Sequence, residues 1–473
     1  MSDSPSKEQI LDLIQEYAFA NHNSFSLKDF YSTKDFDSHT TIVPYAGRVF
    51  GPEEVAAASS AILDFWLTLG KNGVLFEKKF SEYIGSTHSV LTNSGSSANL
   101  LAISALTSHK LGDRRLLPGD EVITVAAGFP TTVAPIIQNR LVPVFADNNP
   151  LTLNINVSDL EELLSERTKA IFIAHTLGNP FNLFKVKQFC DNYNLYLIED
   201  NCDSLGSLYN NNLTGTSGIF STQSFYPPHH MTLGEGGMVN INSDSTYKRL
   251  IESFRDWGRD CWCPSGIDNS CGNRYNQQFG QLPHGYDHKF TYSHFGYNLK
   301  PLDLQAAIGI VQLKKLDIFS DCRKRNWKYL RKSLHQFSDH FYFALPTHST
   351  DWDQEKGDYI FDPQSPQVEP SWFGFMIGVK DNCKFTKQEL SQFLDSRRIH
   401  NRMLFGGNIL RQPVILQELA KNPGSIRMKK SMDYSGADKI MNSSLFVGTY
   451  PGLRKVHLDY ICDTIKDFLN EHD

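Results

Sequence analysis

The stretch IFSTQSFYPPHHMTLGEGGM, residues 219–238, predicts a strand, a tight turn and a second strand. The turn carries two prolines and the pair His229-His230, and the glycine-rich run 234–237 follows at once. Glycines let the backbone approach a ligand, and α/β enzymes build their sites from polar side chains at strand ends. The stretch therefore predicts a functional site with His229 at its centre.

The alternation of strands and helices extends outward from this stretch towards the N-terminus. Short apolar strands are predicted at 90–91, 121–125, 142–146, 170–174 and 195–199. Helical segments lie between them, which indicates a mostly parallel sheet with ligands at the carboxyl ends of its strands. The predicted fold class is α/β: a large domain with a mostly parallel mixed sheet flanked by helices, and a smaller C-terminal α+β domain.

The length of the chain fits this division, since 473 residues exceed one compact core. Apolar spacing predicts helices at 7–20, 52–70, from 76 onward, at 301–337 and at 387–398, and a strand at 372–379. The predicted units are an N-terminal helical extension (1–44), a large cofactor-binding domain (45–325) and a small C-terminal domain (326–473).

Composition and charge exclude several classes of protein. A net charge of −6 and a pI near 6.2 give no basic surface for nucleic acid or an anionic membrane. The polar start MSDSPSKEQI is unlike a signal peptide, and no apolar run approaches 18 residues. We therefore expect a soluble cytoplasmic protein whose eight cysteines are reduced, so that their spacing raises the question of a metal site.

Several polar and aromatic residues at strand ends suit a pyridoxal-phosphate site. Asp200 ends the buried strand LYLIED, where a carboxylate is costly without a cationic partner such as a pyridinium nitrogen. Phe129 is placed to cover one face of the ring. The backbone N–H and hydroxyl groups suited to a 5′-phosphate belong to Gly95, Ser96, Ser97 and Ser224. The lysine that would bind the cofactor covalently is missing from this set.

The motifs TNSGSSANL, GFPTT, HTLGNP, LIED, SFYPPHHMTLGEGG, FGYNLKPLDLQAAIGIVQL and LFGGNILRQP together resemble the nucleotide-sugar aminotransferase/dehydratase family of fold type I. The resemblance runs from about residue 45 to the C-terminus. In aminotransferases of that family a lysine that binds the cofactor covalently stands at the place of His229. A histidine there is typical of the 3-dehydratase branch, which holds pyridoxamine phosphate without a covalent link and uses the histidine as a base.

Four cysteines form the pattern C-x58-C-x1-C-x7-C: Cys202, Cys261, Cys263 and Cys271. A C-x-C pair is tight for tetrahedral zinc, which makes an iron–sulfur cluster more plausible, although zinc and plain reduced thiols remain alternatives. The pattern resembles the [2Fe-2S] motif of 3-dehydratases that act in lipopolysaccharide dideoxyhexose biosynthesis, within one residue in the first gap. That resemblance implies electron supply from a separate NAD(P)H-dependent flavin/iron–sulfur reductase.

The activity implied by the resemblance is C3 dehydration of a nucleotide-linked 4-keto-6-deoxyhexose, with CDP-4-keto-6-deoxy-D-glucose favoured and O-antigen 3,6-dideoxyhexoses as the destination. One alternative is a 3-dehydratase of dTDP-linked 2,6-dideoxy sugars. A sugar aminotransferase, a dehydratase without a cluster and a non-catalytic relative are others. The missing lysine opposes the aminotransferase, and the cysteines oppose the dehydratase without a cluster. The complete cofactor shell opposes the non-catalytic relative.

Further residues take expected roles from the same resemblance. Asp203 would orient the base or the cofactor, or else serve as a turn aspartate. His175 would lie near the cofactor, or else be a structural histidine, and His230 is expected to be structural. Asn298 resembles an asparagine that reaches the phosphate in the neighbouring subunit, which implies a homodimer with shared sites. The expected nucleotide-sugar contacts are Arg402, Phe405 and Asn408.

Overall fold

A computed structural model describes residues 4–22 and 25–472 of the chain, so that parts of the predicted extension and the last residue of the predicted small domain lie outside the described residues. The α-helices are α1 Lys7–Asn21, α2 Pro52–Asp64, α3 Lys71–Ile84, α4 Gly95–Leu106, α5 Pro130–Gln138, α6 Leu160–Leu163, α7 Leu183–Asn192, α8 Ser245–Arg255, α9 Asp303–Leu313, α10 Leu316–Leu334, α11 Lys387–Ser396, α12 Pro413–Lys421, α13 Ser435–Ser443 and α14 Lys455–His472. The strands are β1 His88–Thr92, β2 Glu121–Val125, β3 Val142–Ala146, β4 Thr168–Ala174, β5 Tyr196–Asp200, β6 Leu208–Tyr209, β7 Asn212–Leu213, β8 Phe220–Ser224, β9 Gly237–Ile241, β10 Phe341–Phe343, β11 Ser349–Asp353, β12 Asp358–Phe361, β13 Val368–Glu369, β14 Gly374–Val379, β15 Arg402–Met403 and β16 Ser444–Gly448.

The principal sheet has seven strands in the order β1-β9-β8-β5-β4-β2-β3. Strand β9 runs antiparallel to both of its neighbours, and the other strands are parallel. The register places Asp200 opposite Thr222 on one side and Ala174 on the other. This confirms the predicted mixed, mostly parallel sheet. Since the parallel strands end at one edge, their last residues meet the N-termini of α4 and α5 there.

Helices cover both faces of this sheet, which is why its strands are apolar on both sides. In β4, Ile171 and Ile173 pack into one buried cluster and Ala170 and Phe172 into another. Alternate residues of a strand face opposite ways, so one strand supplies two cores. The sheet is thereby fixed in place from both sides beneath the edge where its strands end.

A second, antiparallel sheet has the order β10-β14-β16-β15 and lies in the C-terminal part of the chain. Its core includes Trp327 of α10, whose ring stacks on Trp372 with centroids 4.8 Å apart. The same buried cluster takes in Ala127 and Leu177 from the strand ends of the large sheet. The two sheets thus share packed contacts close to the pocket, while the exact domain boundaries stay predictions.

Helix boundaries differ from the sequence prediction in two places. The helix predicted at 52–70 ends at Asp64, and α3 begins earlier than expected, because the carboxylate of Asp303 accepts from the N–H groups of Gly70 and Gly73 and caps α3. The helix predicted at 301–337 is two helices, α9 and α10. Lys315, at the break, forms an ion pair with buried Glu54 of α2, which fixes the end of α9 against that helix.

No helix among the described residues is both long enough and apolar enough to cross a membrane.

Candidate functional site

A pocket of about 710 Å³ lies at the edge where the parallel strands end. Its wall combines the N-termini of α4 and α5, the ends of β5 and β8, the turn after β8, and residues of the second sheet. The sequence-predicted residues on its wall are Gly95, Ser96, Phe129, Asp200, Cys202, Asp203, Ser224, His229, Arg402 and Phe405. Segments more than 300 residues apart in the chain are thereby brought to one site.

One end of the pocket is an anion cradle at the start of α4. The Ser94 hydroxyl accepts from the N–H of Ser97 at 3.1 Å and caps the helix. Gly95 and Ser96, the first residues of the helix, line the pocket, and N–H groups at this position have no intrahelical partners. Gly95 packs so closely on Ser224 that a Cβ at position 95 would lie 2.5 Å from that of Ser224. A side chain there would fill the cradle, so the site fits a phosphate held by backbone amides and the Ser224 hydroxyl.

Asp200 occupies the opposite part of the wall and is 5% exposed. Its Oδ2 accepts from Asn99 Nδ2 at 2.9 Å and from Thr132 Oγ1 at 2.7 Å, and its Oδ1 accepts from the N–H of Cys202 at 3.3 Å. These donors are neutral, and no Lys or Arg of the described residues forms an ion pair with this carboxylate. A buried carboxylate that faces a pocket without a protein cation fits a pyridinium nitrogen as its partner.

His229 lies in the turn after β8 and faces the same pocket. Its Nδ1 is 3.5 Å from Asp203 Oδ1, and its ring centroid is 5.1 Å from that of Phe373. Burial and the nearby charge of Arg323 lower the pKa of the His229 imidazole to about 3. The imidazole is therefore neutral near pH 7 and offers a lone pair, which a proton-accepting side chain requires.

Asp203 stands beside this imidazole on the pocket wall. Burial, followed by the charge of Asp200, raises the pKa of the Asp203 carboxyl to about 8, against a hydrogen bond from the N–H of Leu177. Leu177, which donates this hydrogen bond, has φ +53°, a strained backbone conformation for a residue with a bulky side chain. Near pH 7 Asp203 and His229 are thus both neutral rather than an ion pair.

Two histidines singled out in the sequence have structural surroundings. His175 is fully buried, its Nδ1 accepts from the N–H of Phe181, and its Nε2 lies 3.0 Å from Glu199 Oε2. Both ring nitrogens are occupied and the side chain does not line the pocket, so the structural alternative describes His175 better than cofactor contact. His230 is 2% exposed and donates from Nε2 to the carbonyl of Ser371 at 2.6 Å, as expected of a structural residue.

The three expected substrate residues fall into two groups. Arg402 and Phe405 line the pocket mouth, where the Arg402 guanidinium stacks 4.2 Å above the Tyr45 ring. Asn408 is fully buried instead: its Oδ1 accepts from the N–H of Leu410, and its Nδ2 donates to Asp438 Oδ1. The Asn408 carboxamide is used to shape the loop, so the expected substrate contact is not found in this arrangement.

Asn298 does not line the pocket of its own chain. It is exposed, and exposed aromatic side chains accompany it on the same loop, with Phe295 fully accessible and Phe290 and Tyr292 each 53% exposed. Exposed apolar residues grouped in this way mark contact surfaces. The position is compatible with a side chain that reaches into another subunit.

The cysteine loop, residues 260–292, brings three of the four predicted metal ligands together. Cys261, Cys263 and Cys271 lie close enough to influence one another's pKa values, and Cys271 Sγ is 3.8 Å from His288 Nδ1. Burial raises the pKa of the Cys263 thiol, but hydrogen bonding, led by Ser270, outweighs burial and lowers that pKa to about 7. Cys202 lies in the pocket wall beside Asp200, where burial raises the pKa of its thiol.

The four thiols suit a [2Fe-2S] cluster in kind, but the described residues do not hold them as a set of metal ligands. Within residues 4–22 and 25–472, no group of three or more His, Cys, Asp or Glu side chains is arranged to hold a metal ion. Four convergent cysteine ligands are the usual requirement for such a cluster. The arrangement therefore gives no basis for deriving a chemical step through a cluster.

Several functional residues were missed in the sequence. Asn99 and Thr132 donate hydrogen bonds to the carboxylate of Asp200. Both residues lie within motifs quoted above, so their polar side chains in those motifs could have indicated this role. Phe373 and Arg323 contact the His229 turn from the second sheet and from α10. Nothing in their local sequence marks them, because these contacts span 94 residues or more of chain.

Known proteins resemble this chain over most of its length. The model of the DegT/DnrJ/EryC1/StrS aminotransferase family matches residues 50–466. The lipopolysaccharide biosynthesis protein RfbH of Salmonella typhimurium is 47% identical over 462 residues, covering 98% of each chain. The dTDP-4-dehydro-2,6-dideoxy-D-glucose 3-dehydratase of Saccharopolyspora spinosa is 42% identical over 447 residues, covering 94% of this chain and 91% of the relative.

A solved structure also has this fold. The E. coli GDP-4-keto-6-deoxy-D-mannose-3-dehydratase with bound hydrated PLP superimposes with a TM-score of 0.75 at 27% identity, covering 90% of this chain and 99% of the other. The aminotransferase-like fold expected from the sequence is therefore confirmed.

Proposed function

The chain belongs to the DegT/DnrJ/EryC1/StrS aminotransferase family of sugar-modifying pyridoxal-phosphate enzymes, and within it we propose that the protein is a nucleotide-sugar 3-dehydratase. The proposed substrate is a nucleotide-linked 4-keto-6-deoxyhexose, with CDP-4-keto-6-deoxy-D-glucose favoured, and the proposed product leads to 3,6-dideoxyhexoses of lipopolysaccharide. The similarity to a lipopolysaccharide biosynthesis protein over 98% of both chains supports this destination.

The observation that carries the proposal is the histidine in the pocket where a transaminase needs a lysine. Among the described residues that line the pocket there is no lysine, and His229 occupies the turn after β8. A transaminase uses a lysine amine to recapture the cofactor covalently between half-reactions. An imidazole cannot do so but can move a proton, which is the requirement for eliminating a hydroxyl.

The residues proposed to hold the cofactor each have a separate task. Asp200 would pair with the ring nitrogen, and Phe129, about half exposed at the pocket wall, would cover the ring. Gly95, Ser96 and Ser224 would bind the phosphate. When bound there, pyridoxamine phosphate supplies an amine that condenses with the sugar ketone and a ring that accepts electrons.

His229 is the proposed base. Its neutral imidazole would accept a proton at the reacting carbon and, once protonated, would donate that proton to the departing C3 hydroxyl. Asp203, 3.5 Å away, stays uncharged below about pH 8 and so leaves the imidazole without a fixed counter-charge before the reaction. The ring of Phe373 packs against the imidazole, with the two centroids 5.1 Å apart.

The nucleotide end of the substrate would lie at the pocket mouth. Arg402 forms no ion pair with a carboxylate of the described residues, and its stacking on Tyr45 holds the guanidinium at the rim. An unpaired guanidinium is suited to a pyrophosphate. The nearby Phe405 offers an aromatic surface for a base or sugar, with its ring centroid 6.0 Å from that of Phe129.

The proposal includes a homodimer, a [2Fe-2S] cluster and an NAD(P)H-dependent reductase as partner. Exposed Asn298 among exposed aromatic side chains supports the shared site. The cysteine spacing and the mutual contacts of Cys261, Cys263 and Cys271 support the cluster. The reductase rests on the cysteine pattern alone.

A second candidate substrate is a dTDP-linked 4-keto-2,6-dideoxyhexose. The 42% identity to a 3-dehydratase acting on such a sugar favours it. The site chemistry is the same for both candidates, since they differ in the nucleotide and at C2.

Turnover of CDP-, dTDP- and GDP-linked 4-keto-6-deoxy sugars by pyridoxamine-phosphate-loaded protein, followed by mass spectrometry, tests the proposal. Loss of the C3 hydroxyl as water is the expected first step. When an NAD(P)H-dependent flavin/iron–sulfur reductase is added to supply two electrons, the released 3-deoxy sugar should be lighter than the substrate by one oxygen, with the CDP sugar turned over fastest. Formation of a 4-amino sugar with glutamate as donor would show a transaminase instead. Iron and sulfide analysis of anaerobically purified protein tests the cluster separately.

A further inference from the structure

The side chain of Arg323, on α10, lies beneath the turn that carries the proposed base and is fully buried. Its Nη2 donates to the carbonyl oxygens of Pro228 and His229, each at 3.0 Å. Its Nη1 donates to the carbonyls of Trp372 and Phe373 at 3.4 and 3.2 Å. One planar group therefore ties the His229 turn to the segment that enters the second sheet.

Burying the Arg323 guanidinium here costs more free energy than burying an apolar side chain would. No carboxylate of the described residues forms an ion pair with Arg323, and its Nε has no hydrogen-bond partner among them. Burying an unpaired cation is unfavourable, and an apolar side chain of similar volume would fill the space more cheaply. The four carbonyl contacts are what the guanidinium provides that an apolar residue would not.

The neighbouring contacts hold the same turn from the same direction. His230 donates to the carbonyl of Ser371, one residue before the carbonyls bound by Arg323. The ring of Phe373 then packs against the imidazole of His229 at 5.1 Å. The main chain at His229 is thus held against residues 371–373, and its side chain is directed into the pocket between Asp203 and Phe373.

We propose that Arg323 is a positioning residue for proton transfer by His229, acting through the carbonyl groups of the His229 turn and of residues 372–373. Arg323 does not line the large pocket, so it contacts neither cofactor nor substrate and is not itself catalytic. The inference rests on the proposed function of His229 as the base.

The shape of the group matters as well as its charge. A guanidinium presents donors in a fixed plane and reaches both pairs of carbonyls, whereas a lysine ammonium reaches only one pair. Arg331 is a matched control on the same helix: it is 7% exposed and packs on Phe343 and Trp352, away from the His229 turn.

The test compares Arg323→Ala, Arg323→Lys and Arg331→Ala, each loaded with pyridoxamine phosphate. For Arg323→Ala we expect kcat to fall about 100-fold, the loss associated with displacement of a catalytic group by about 1 Å, while KM and cofactor affinity change less than about twofold. Millimolar guanidinium should restore kcat at least tenfold, and methylammonium should not. Arg323→Lys should lose kcat to a smaller extent at unchanged KM.

Hydrogen exchange of the segment 226–233 gives a readout independent of activity. Exchange there should accelerate in Arg323→Ala and slow again with guanidinium, while Arg331→Ala leaves it unchanged. Full activity in His229→Asn would remove the proposed base but not alter this exchange result, so the two failures are distinguishable.

Unchanged kcat and exchange in Arg323→Ala would overturn the inference, as would an equal loss in Arg331→Ala. If Arg323→Ala does not fold, Arg323→Lys decides: wild-type kcat there would contradict the need for a planar donor.

Discussion

The cofactor pocket and the cysteine loop obtain their geometry from different kinds of support. In the pocket, Asp200 accepts three hydrogen bonds from within the large domain and sits at the end of a strand buried on both faces. In the cysteine loop, the described regular structure is one short helical turn, His288–Phe290, and ion pairs join Arg274 to Asp268 and Asp287 near the surface.

This difference determines how much of its geometry each region keeps when no ligand is bound. Surface ion pairs contribute about 0–1 kcal/mol each, whereas removing one partner from a buried hydrogen-bonded group costs about 1–3 kcal/mol. The pocket is therefore shaped before any cofactor arrives, and the cysteine loop depends more on what its thiols bind. We expect substitutions in the two regions to affect chemistry and metal content separately.

The largest expected effect is on the chemistry of the pocket. His229→Asn should lower kcat by about 10²–10⁴-fold, because it removes the proton acceptor, while the melting temperature and cofactor affinity stay near wild type. Steady-state assays with the nucleotide sugar measure it. Wild-type turnover in His229→Asn would refute the role of the base.

The next effect is on cofactor binding. Asp200→Asn keeps the size of the side chain but replaces one acceptor oxygen with a donor NH2 and removes the negative charge proposed to face the pyridinium nitrogen, so pyridoxamine-phosphate affinity should fall about 10–100-fold. Fluorescence titration measures it. The matched control is Asp64→Asn, a carboxylate that binds Lys7 and Lys71 outside the pocket and should leave the affinity unchanged.

A substitution in the cysteine loop should instead change the metal content and leave cofactor affinity unchanged. Cys263→Ser should abolish iron and sulfide content, yet change pyridoxamine-phosphate affinity by less than about twofold, since none of the loop cysteines lines the pocket. Metal analysis and titration on the same sample measure both. Cys322→Ser, at a buried thiol on α10, is the control that should keep its iron.

Cys202→Ser sharpens the same comparison, because Cys202 lies in the pocket wall. Retained iron in this variant would show that Cys202 is not a ligand, and loss of iron would show that it is one.

The smallest effect concerns how the far end of the cysteine loop is anchored. Just beyond the loop, His294 lies between the hydroxyls of Ser108 and Ser253, and burial, with the charges of Lys110 and His109, lowers the pKa of its imidazole to about 4. The unfolded chain then takes up a proton before the folded one, so stability should fall as pH drops from about 6.5 towards 4, by about 1–2 kcal/mol. Urea midpoints measured across this range test it, and His294→Gln should flatten the slope.

Much of the pocket was predictable from the sequence because its residues follow strand ends. Asp200, Ser224 and the start of α4 take their positions from the sheet, and strand alternation is a local signal. The roles of Asn408 and His175 stay predictions: both side chains already bind protein groups, which a strand-end or loop position in the sequence does not reveal.

The amino-acid sequence by itself determined the mixed, mostly parallel sheet and the place of His229 in the turn after a strand, since both depend on local pattern and residue identity. Only the tertiary structure decided that Arg323 hydrogen-bonds to the His229 turn, that the ring of Phe373 packs against the His229 imidazole, and that Cys202 lies in the pocket wall. The physical reason is distance along the chain: hydrogen bonds and van der Waals contacts act over a few ångströms, and only folding brings such separated residues within that range.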